Sequence, residues 1–159
     1  KFPVTLVTNL MQPRAILIQA KAGYIFWTDT GLNSIERAYL DGSRRKTLKD
    51  GYKVTAFAID MEKDVLYWTD TRSAAIYSSD FDGHNTRRLH EVQISTPIFT
   101  GLAVVNDYLV WSDNNWTSAR GVFAMDRIRG GYIGGYKGTQ NTYDIIFHHR
   151  SNQPQGSTG

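Results

Sequence analysis

Cysteine is absent from all 159 residues. Its absence excludes a disulfide framework, a thiolate metal site and a cysteine nucleophile within them. The compartment stays open, because a secreted domain with a sufficient core can do without bridges. Long apolar runs are missing too: none approaches a membrane span, so this segment is expected to make no direct membrane insertion. No basic-then-apolar leader opens the sequence, which starts KFPVTLV without Met and is read as a piece of a longer polypeptide. Charge of one sign is scarce, with a formal net charge of +3 and basic residues scattered apart from RRK at 44–46 and RR at 87–88. That balance argues against nucleic acid as a partner. No stretch shows the 3.6-residue apolar period of an amphipathic helix.

What is present is a repeat. GYIFWTD at 23–29 returns as DVLYWTD at 64–70 and as DYLVWSD at 107–113, so that Trp27, Trp68 and Trp111 stand 41 and 43 residues apart. Each unit opens on an apolar segment (PRAILI, TAFAID, TGLAVV), passes through the Trp-Asp segment and continues into an alternating one (SIERAYLDG, AIYSSDFDG, GVFAMDRIR). Short runs of aromatic and β-branched residues between Asp-Gly or polar turns are strand and hairpin signals. Four short strands every forty-odd residues predict an all-β chain of β-propeller blades, with repeats at about 13–54, 55–98 and 99–142. The ends add PVTLV at 3–7, read as an orphan outer strand, and YDIIFHH at 143–149, read as an orphan inner, closing strand. Three blades and two orphan strands cannot close a ring, which takes about four blades at least. The propeller portion is therefore placed at 1–150 and a polar linker at 151–159.

The repeated Trp and Asp have a structural reading. A Trp on the second strand of every blade offers a large flat surface between sheets, and burying it contributes on the order of a few kcal/mol. Asp29, Asp70 and Asp113 then have to accept hydrogen bonds from backbone N–H groups or from Thr28, Thr69 and Ser112, because a bare buried charge is costly. A catalytic or metal role would need the carboxylates within a few ångströms of one reacting atom, and one per blade holds them apart. No catalytic residue and no metal ligand is assigned. GGYIGGYKG at 130–138 lacks the Lys that a phosphate loop would carry at position 136, where Tyr136 stands. His84, His90, His148 and His149 show no metal-ligand spacing.

These motifs together resemble one family. FWTD, YWTD and WSD at blade spacing, QPRAI at 12–16 opening a blade and LDGSRRKTL at 40–48 closing it are similar to the YWTD repeats of the low-density lipoprotein receptor family, over roughly residues 3–154. The third repeat departs: Asp126 is followed by Arg127 where Gly stands in the other two, and the turn before Trp111 is two residues shorter. The resemblance implies a six-bladed propeller of which this chain is the C-terminal half, followed by an EGF-like module after the QP segment. It implies an extracellular ligand-binding and ligand-release module of an endocytic receptor, at the plasma membrane and in endosomes. The partners it implies are protein ligands or the receptor's own ligand-binding repeats, the missing half of the ring and the flanking EGF-like module. No cofactor is expected in these residues, and calcium is expected in neighbouring cysteine-rich modules.

The face expected to bind is built from loops joining second to third strands and from loops between blades: 30–34, 50–54, 71–75, 90–97 and 114–120. Tyr52, Arg72, His90, Trp116 and Arg120 are the expected ligand contacts, since Trp, Tyr and Arg dominate binding hot spots. His90 is the expected pH-sensitive contact, with a charge gained below about pH 6.5. Asn115 opens the sequon NWT and is the expected glycan site. Two other readings stay open: a propeller of a secreted matrix or growth-factor-precursor protein, and a metal-dependent propeller hydrolase. The inner strands end in Asp60, Asn106 and His148, which is not the acidic ring that metal-dependent hydrolysis needs.

Overall fold

Runs of five to seven residues rich in Ile, Val, Tyr, Phe and Trp, cut by Asp, Asn and Gly turns, fold as strands. The computed structural model describes residues 3–93, 96–115 and 120–137. Among the described residues twelve strands form three four-stranded antiparallel meanders. The first sheet holds β1 (Pro13–Gln19), β2 (Tyr24–Asp29), β3 (Ser34–Tyr39) and β4 (Lys46–Lys49). The second holds β5 (Val54–Asp60), β6 (Val65–Asp70), β7 (Ala75–Asp80) and β8 (Arg87–Glu91). The third holds β9 (Phe99–Val105), β10 (Tyr108–Asp113), β11 (Gly121–Asp126) and β12 (Tyr132–Lys137). The leading strands β1, β5 and β9 adjoin one another, and β4, β8 and β12 lie at the far edges. This is the arrangement of β-propeller blades around an axis lined by inner strands. The closing strand expected at 143–149 and the linker at 151–159 lie outside the described residues.

Alternation along each strand sends one set of side chains to each neighbouring blade. Phe26 and Ile35 of the first blade pack against Val54, Phe57, Leu66 and Trp68 of the second. One repeat on, Tyr67 and Ile76 pack against Leu102, Leu109 and Trp111 of the third. Trp68 and Trp111 therefore face the preceding blade, and Trp27, clustered with Ile25 and Ala38 of its own blade, faces Val7 of the preceding segment. Trp68 and Trp111 are fully buried, each contributing on the order of a few kcal/mol.

The orphan strand expected at 3–7 is corrected: among the described residues, 3–10 pair with no strand. A ladder needs a partner at about 4.8 Å, and none of the twelve described strands pairs with this segment. Its place is nevertheless that of an outer strand. Gly83 turns with φ +82° where a Cβ would strike the Leu48 carbonyl of β4, and Gly42, also at φ +82°, stands in the same relation to the Leu6 carbonyl. Leu6 occupies, one blade earlier, the position of Leu48.

A second correction concerns register in the third blade. Tyr108 pairs with Asp126 as Val65 pairs with Asp80 and Tyr24 with Tyr39. Asp126 therefore corresponds to Asp80, and Arg127 to Phe81 and Leu40; Arg127 does not replace the turn glycine. Phe81 fills the first blade interface against Phe26, ring centroids 5.0 Å apart. Arg127 fills the second with charge, its Nη1 2.7 Å from Asp60 Oδ2 and 3.0 Å from the Tyr67 hydroxyl. Its Nε and Nη2 donate to the Asn106 carbonyl. The two-residue turn 106–107 between β9 and β10, shorter than its counterparts 61–64 and 20–23, presents that carbonyl. In the RRK run, Arg45 pairs with Glu36 and Lys46 reaches Asp82.

Candidate ligand-binding face

Each motif Asp ends a second strand and holds two loops at once. Asp29 accepts N–H bonds from Met11 and Gln12, ahead of β1, and from Gly31 and Leu32 in the β2–β3 turn. Asp70 repeats this with the N–H groups of Lys53, Arg72 and Ser73 and with the Ser73 hydroxyl. Asp113 takes those of Ile98 and Asn115. All three carboxylates are buried. Burial raises the Asp29 carboxyl, but the N–H donors of Met11, Gln12, Leu32 and Gly31 outweigh it and hold the pKa below the ordinary value. Thr28 and Thr69 complete the motif by accepting the N–H groups of Ala15 and Ala56. The repeated cluster thus ties the inter-blade loop to the β2–β3-type turn and shapes one face of the molecule.

The expected contact residues do not share one environment on that face. Arg72 is exposed in the β6–β7 turn and donates from Nη1 to the Gly51 carbonyl, 2.8 Å away. Tyr52 is half-buried, with ring centroids 5.4 Å from Trp68 and 5.2 Å from Tyr77. It belongs to the packing between blades, and burial pushes its phenol pKa up. His90 does not open a loop: it lies in β8, half-buried, stacked on Tyr132 and tilted against Trp111 at 5.3 Å. Desolvation there pulls its pKa below the ordinary imidazole value, which favours the neutral ring over the exposed cation that the sequence predicts. Arg120 is half-buried just ahead of β11 and is engaged within the chain. Trp116 lies outside the described residues.

Asn115, the expected glycan site, is 3% exposed, and its amide nitrogen donates to the Thr96 carbonyl at 2.7 Å. In the folded chain the amide ties two loops together. The sequon is visible in the sequence, whereas the use of the amide as a loop tie is not.

Sequence reasoning missed the cations on the inner side of this face. A bulge between Pro13 and Ala15 lets Arg14 leave the ladder at the start of β1. Arg14, Lys53 and Arg72 line a cleft of about 450 Å³ between the first two blades, together with Gln12, Thr30 and Asn33. The register could have pointed there, since Arg14 matches Thr55 and Thr100, one residue into each inner strand. For the hydrolase reading, the Asp60 carboxylate is taken up by Arg127. Among the described residues no group of three or more His, Asp or Glu is placed to hold a metal.

With this geometry in view, the repeats match known proteins. Residues 23–52 fit the model of the low-density lipoprotein receptor repeat class B. Residues 23–52 are thus a low-density lipoprotein receptor class B repeat. Two receptors are similar to it: the vitellogenin receptor Yl of Drosophila melanogaster, 29% identical over 154 residues, covering 95% of this chain and 8% of that protein; and human low-density lipoprotein receptor-related protein 5, 36% identical over 106 residues, covering 64% of this chain and 6% of that protein. This chain thus spans less than a tenth of either receptor. In fold it resembles a chain of the nidogen/laminin complex, with TM-score 0.58 and 22% identity, over 86% of this chain and 68% of that one. The strands β2, β3 and β4 are thus the part of the first sheet inside the matched segment.

Proposed function

We propose that these class B repeats are a non-catalytic protein-interaction propeller of an extracellular, endocytic receptor, presenting the face around the β2–β3 and β6–β7 turns to a protein ligand. The observation that carries the reading is the consumption of the motif carboxylates. Asp29 and Asp70 each accept four hydrogen bonds from their own loops. They are spent on shaping a surface rather than on chemistry. Similarity to two receptors supports the same reading. The likeness to a nidogen chain, which is one of fold, supports a second one, a propeller of a secreted matrix protein.

Surface labelling separates the two. Cells expressing the full-length protein are biotinylated with an impermeant, reducible reagent, warmed, and stripped with reductant. A receptor carries label on cells and acquires protected, internalised label with time. Label that stays strippable overturns endocytosis, and protein recovered only in the medium overturns the receptor reading in favour of the matrix one.

A further inference from the structure

Six cations lie beside a carboxylate: Arg37, Arg45, Lys46, Lys63, Arg88 and Arg127, at Asp82, Glu36, Asp82, Asp107, Glu91 and Asp60 respectively. Arg14 and Lys53 differ: among the described residues their side chains make no hydrogen bond or ion pair, and Arg72 bonds only the neutral Gly51 carbonyl. These three meet in the cleft between the first and second blades, and among the described residues no carboxylate lines it. The acids held by the adjacent turns, Asp29 and Asp70, are buried and turned onto backbone N–H groups. Clustering like charge without a counter-charge costs stability through repulsion, and neither the Arg14 nor the Lys53 side chain returns a hydrogen bond or ion pair to the described fold.

We propose that this cleft takes the side-chain carboxylates of an acidic peptide segment from a protein partner, with Arg14, Lys53 and Arg72 holding the charge. The proposal rests on the protein-interaction reading above and names the chemistry of the partner. Two features favour a peptide over a sulfated polysaccharide. First, Gln12, Asn33 and Thr30 interleave with the cations and offer amide and hydroxyl groups that match peptide N–H and C=O as well as carboxylate. Second, a polysaccharide asks for a linear track of unpaired cations, whereas Arg37, Lys46 and Arg88 on the blade rims are tied to Asp82 and Glu91. Guanidinium groups grip carboxylates through paired, charge-assisted hydrogen bonds, which gives Arg14 and Arg72 the larger share.

The test uses the purified full-length protein and a fluorescent oligoglutamate peptide, with an oligoglutamine peptide of equal length and a sulfated oligosaccharide as the other arms. Oligoglutamate should bind, more weakly as ionic strength rises, and oligoglutamine should bind about tenfold less tightly. Arg14→Gln and Arg72→Gln should each weaken oligoglutamate binding about tenfold, while Arg72→Lys keeps part of it. Lys63→Gln, at the opposite end of the inner strand, should leave binding unchanged. Arg72→Gln also loosens the loop at Gly51, but Arg14 holds no loop, so Arg14→Gln tests the charge alone. Equal binding of oligoglutamine, or unaltered oligoglutamate affinity in Arg14→Gln, overturns the proposal. So does a sulfated oligosaccharide that binds more tightly than oligoglutamate and is itself lost in these variants. Failure here leaves the surface-labelling result standing, and the reverse also holds.

Discussion

Replacing Arg127 by Ala should be among the most damaging single changes in this chain. The guanidinium and its partner Asp60 are about 5% and 6% exposed, so water screens little of the interaction. Truncating Arg127 leaves the Asp60 carboxylate in the interface with the N–H groups of Glu62 and Lys63 on its Oδ1 but with its Oδ2 stripped of a cation. It also removes the donors that satisfy the Tyr67 hydroxyl and the Asn106 carbonyl. Breaking a buried pair from one side costs about 3–5 kcal/mol. With a urea m-value of about 2 kcal/mol/M, that lowers the denaturation midpoint by about 2 M. The companion double variant Asp60→Asn, Arg127→Phe removes both charges, keeps an oxygen for the Glu62 and Lys63 N–H groups, and supplies the ring that Phe81 supplies one blade earlier. It should recover to within about 1.5 kcal/mol of the parent, since a buried pair exchanged for apolar packing is often neutral. Urea unfolding of the full-length protein, followed by Trp fluorescence at constant m, reads both. A midpoint drop under about 0.5 M in Arg127→Ala, or a double variant no better than the single one, would refute the claim that charge balance holds this interface.

Three further outcomes follow from the same packing. Asp70→Ala should cost about 3 kcal/mol by leaving the Lys53, Arg72 and Ser73 donors unpaired, and limited proteolysis should then cut within 50–54 and 71–74; cleavage elsewhere alone would count against the loop-tie role. Gly83→Ala should destabilise by at least about 1–2 kcal/mol, because an L side chain at φ +82° is strained and its Cβ would sit 2.5 Å from the Leu48 carbonyl; a melting temperature equal to the parent's would reject the close approach. His90, whose pKa burial lowers, is neutral in both states above its unfolded value near 6.5; below it the unfolded chain binds the extra proton, so stability falls as pH drops toward the depressed folded value. His90→Phe should flatten that slope of melting temperature against pH, while the loss at lower pH persists, as Asp29 and Asp80, both held low in the fold, protonate.

Much of the architecture was legible because the repeat carries it. Trp27, Trp68 and Trp111 at blade spacing announce second strands, and burial of the Asp two residues later follows from the need to cap loops. Side chains in the inter-blade gaps were not legible. Tyr52 stands in a polar stretch, DGYKV, that reads as an exposed loop, yet the gap beside Trp68 is deep enough to take its ring. His90 follows Leu89 at the end of a basic run and reads as a loop start, yet β8 continues through Glu91 and turns the imidazole toward Trp111. In both cases the deciding fact is a surface on another blade, which no local pattern encodes. Arg127 was misplaced for a different reason. The Asp-Gly turns of the first two repeats align it with glycine, whereas the strand register, set by the Tyr108–Asp126 pair, aligns it with Phe81.

The residue paired across the strand from each Trp shows how one scaffold position takes different chemistry. Opposite Trp68 and Trp111 stand Tyr77 and Phe123, and aromatic rings cover the indoles. Opposite Trp27 stands Glu36, 3% exposed, a carboxylate where the other blades place a ring. Its charge is met by Arg45, with Nε 2.6 Å from Oε2 and Nη2 2.9 Å from Oε1, and the guanidinium lies 5.5 Å over the Trp27 ring. The remaining nitrogen, Nη1, donates to the Thr8 carbonyl at 2.6 Å. The segment in the outer-strand position before the first blade is therefore tied to that blade by a fork of hydrogen bonds as well as by Val7 on the Trp27 cluster. A planar guanidinium that bridges a carboxylate, an indole and a backbone carbonyl fixes one geometry among the three. Apolar rings would tolerate sliding. The polar solution suits an interface in which the neighbouring segment has no described ladder to set its register.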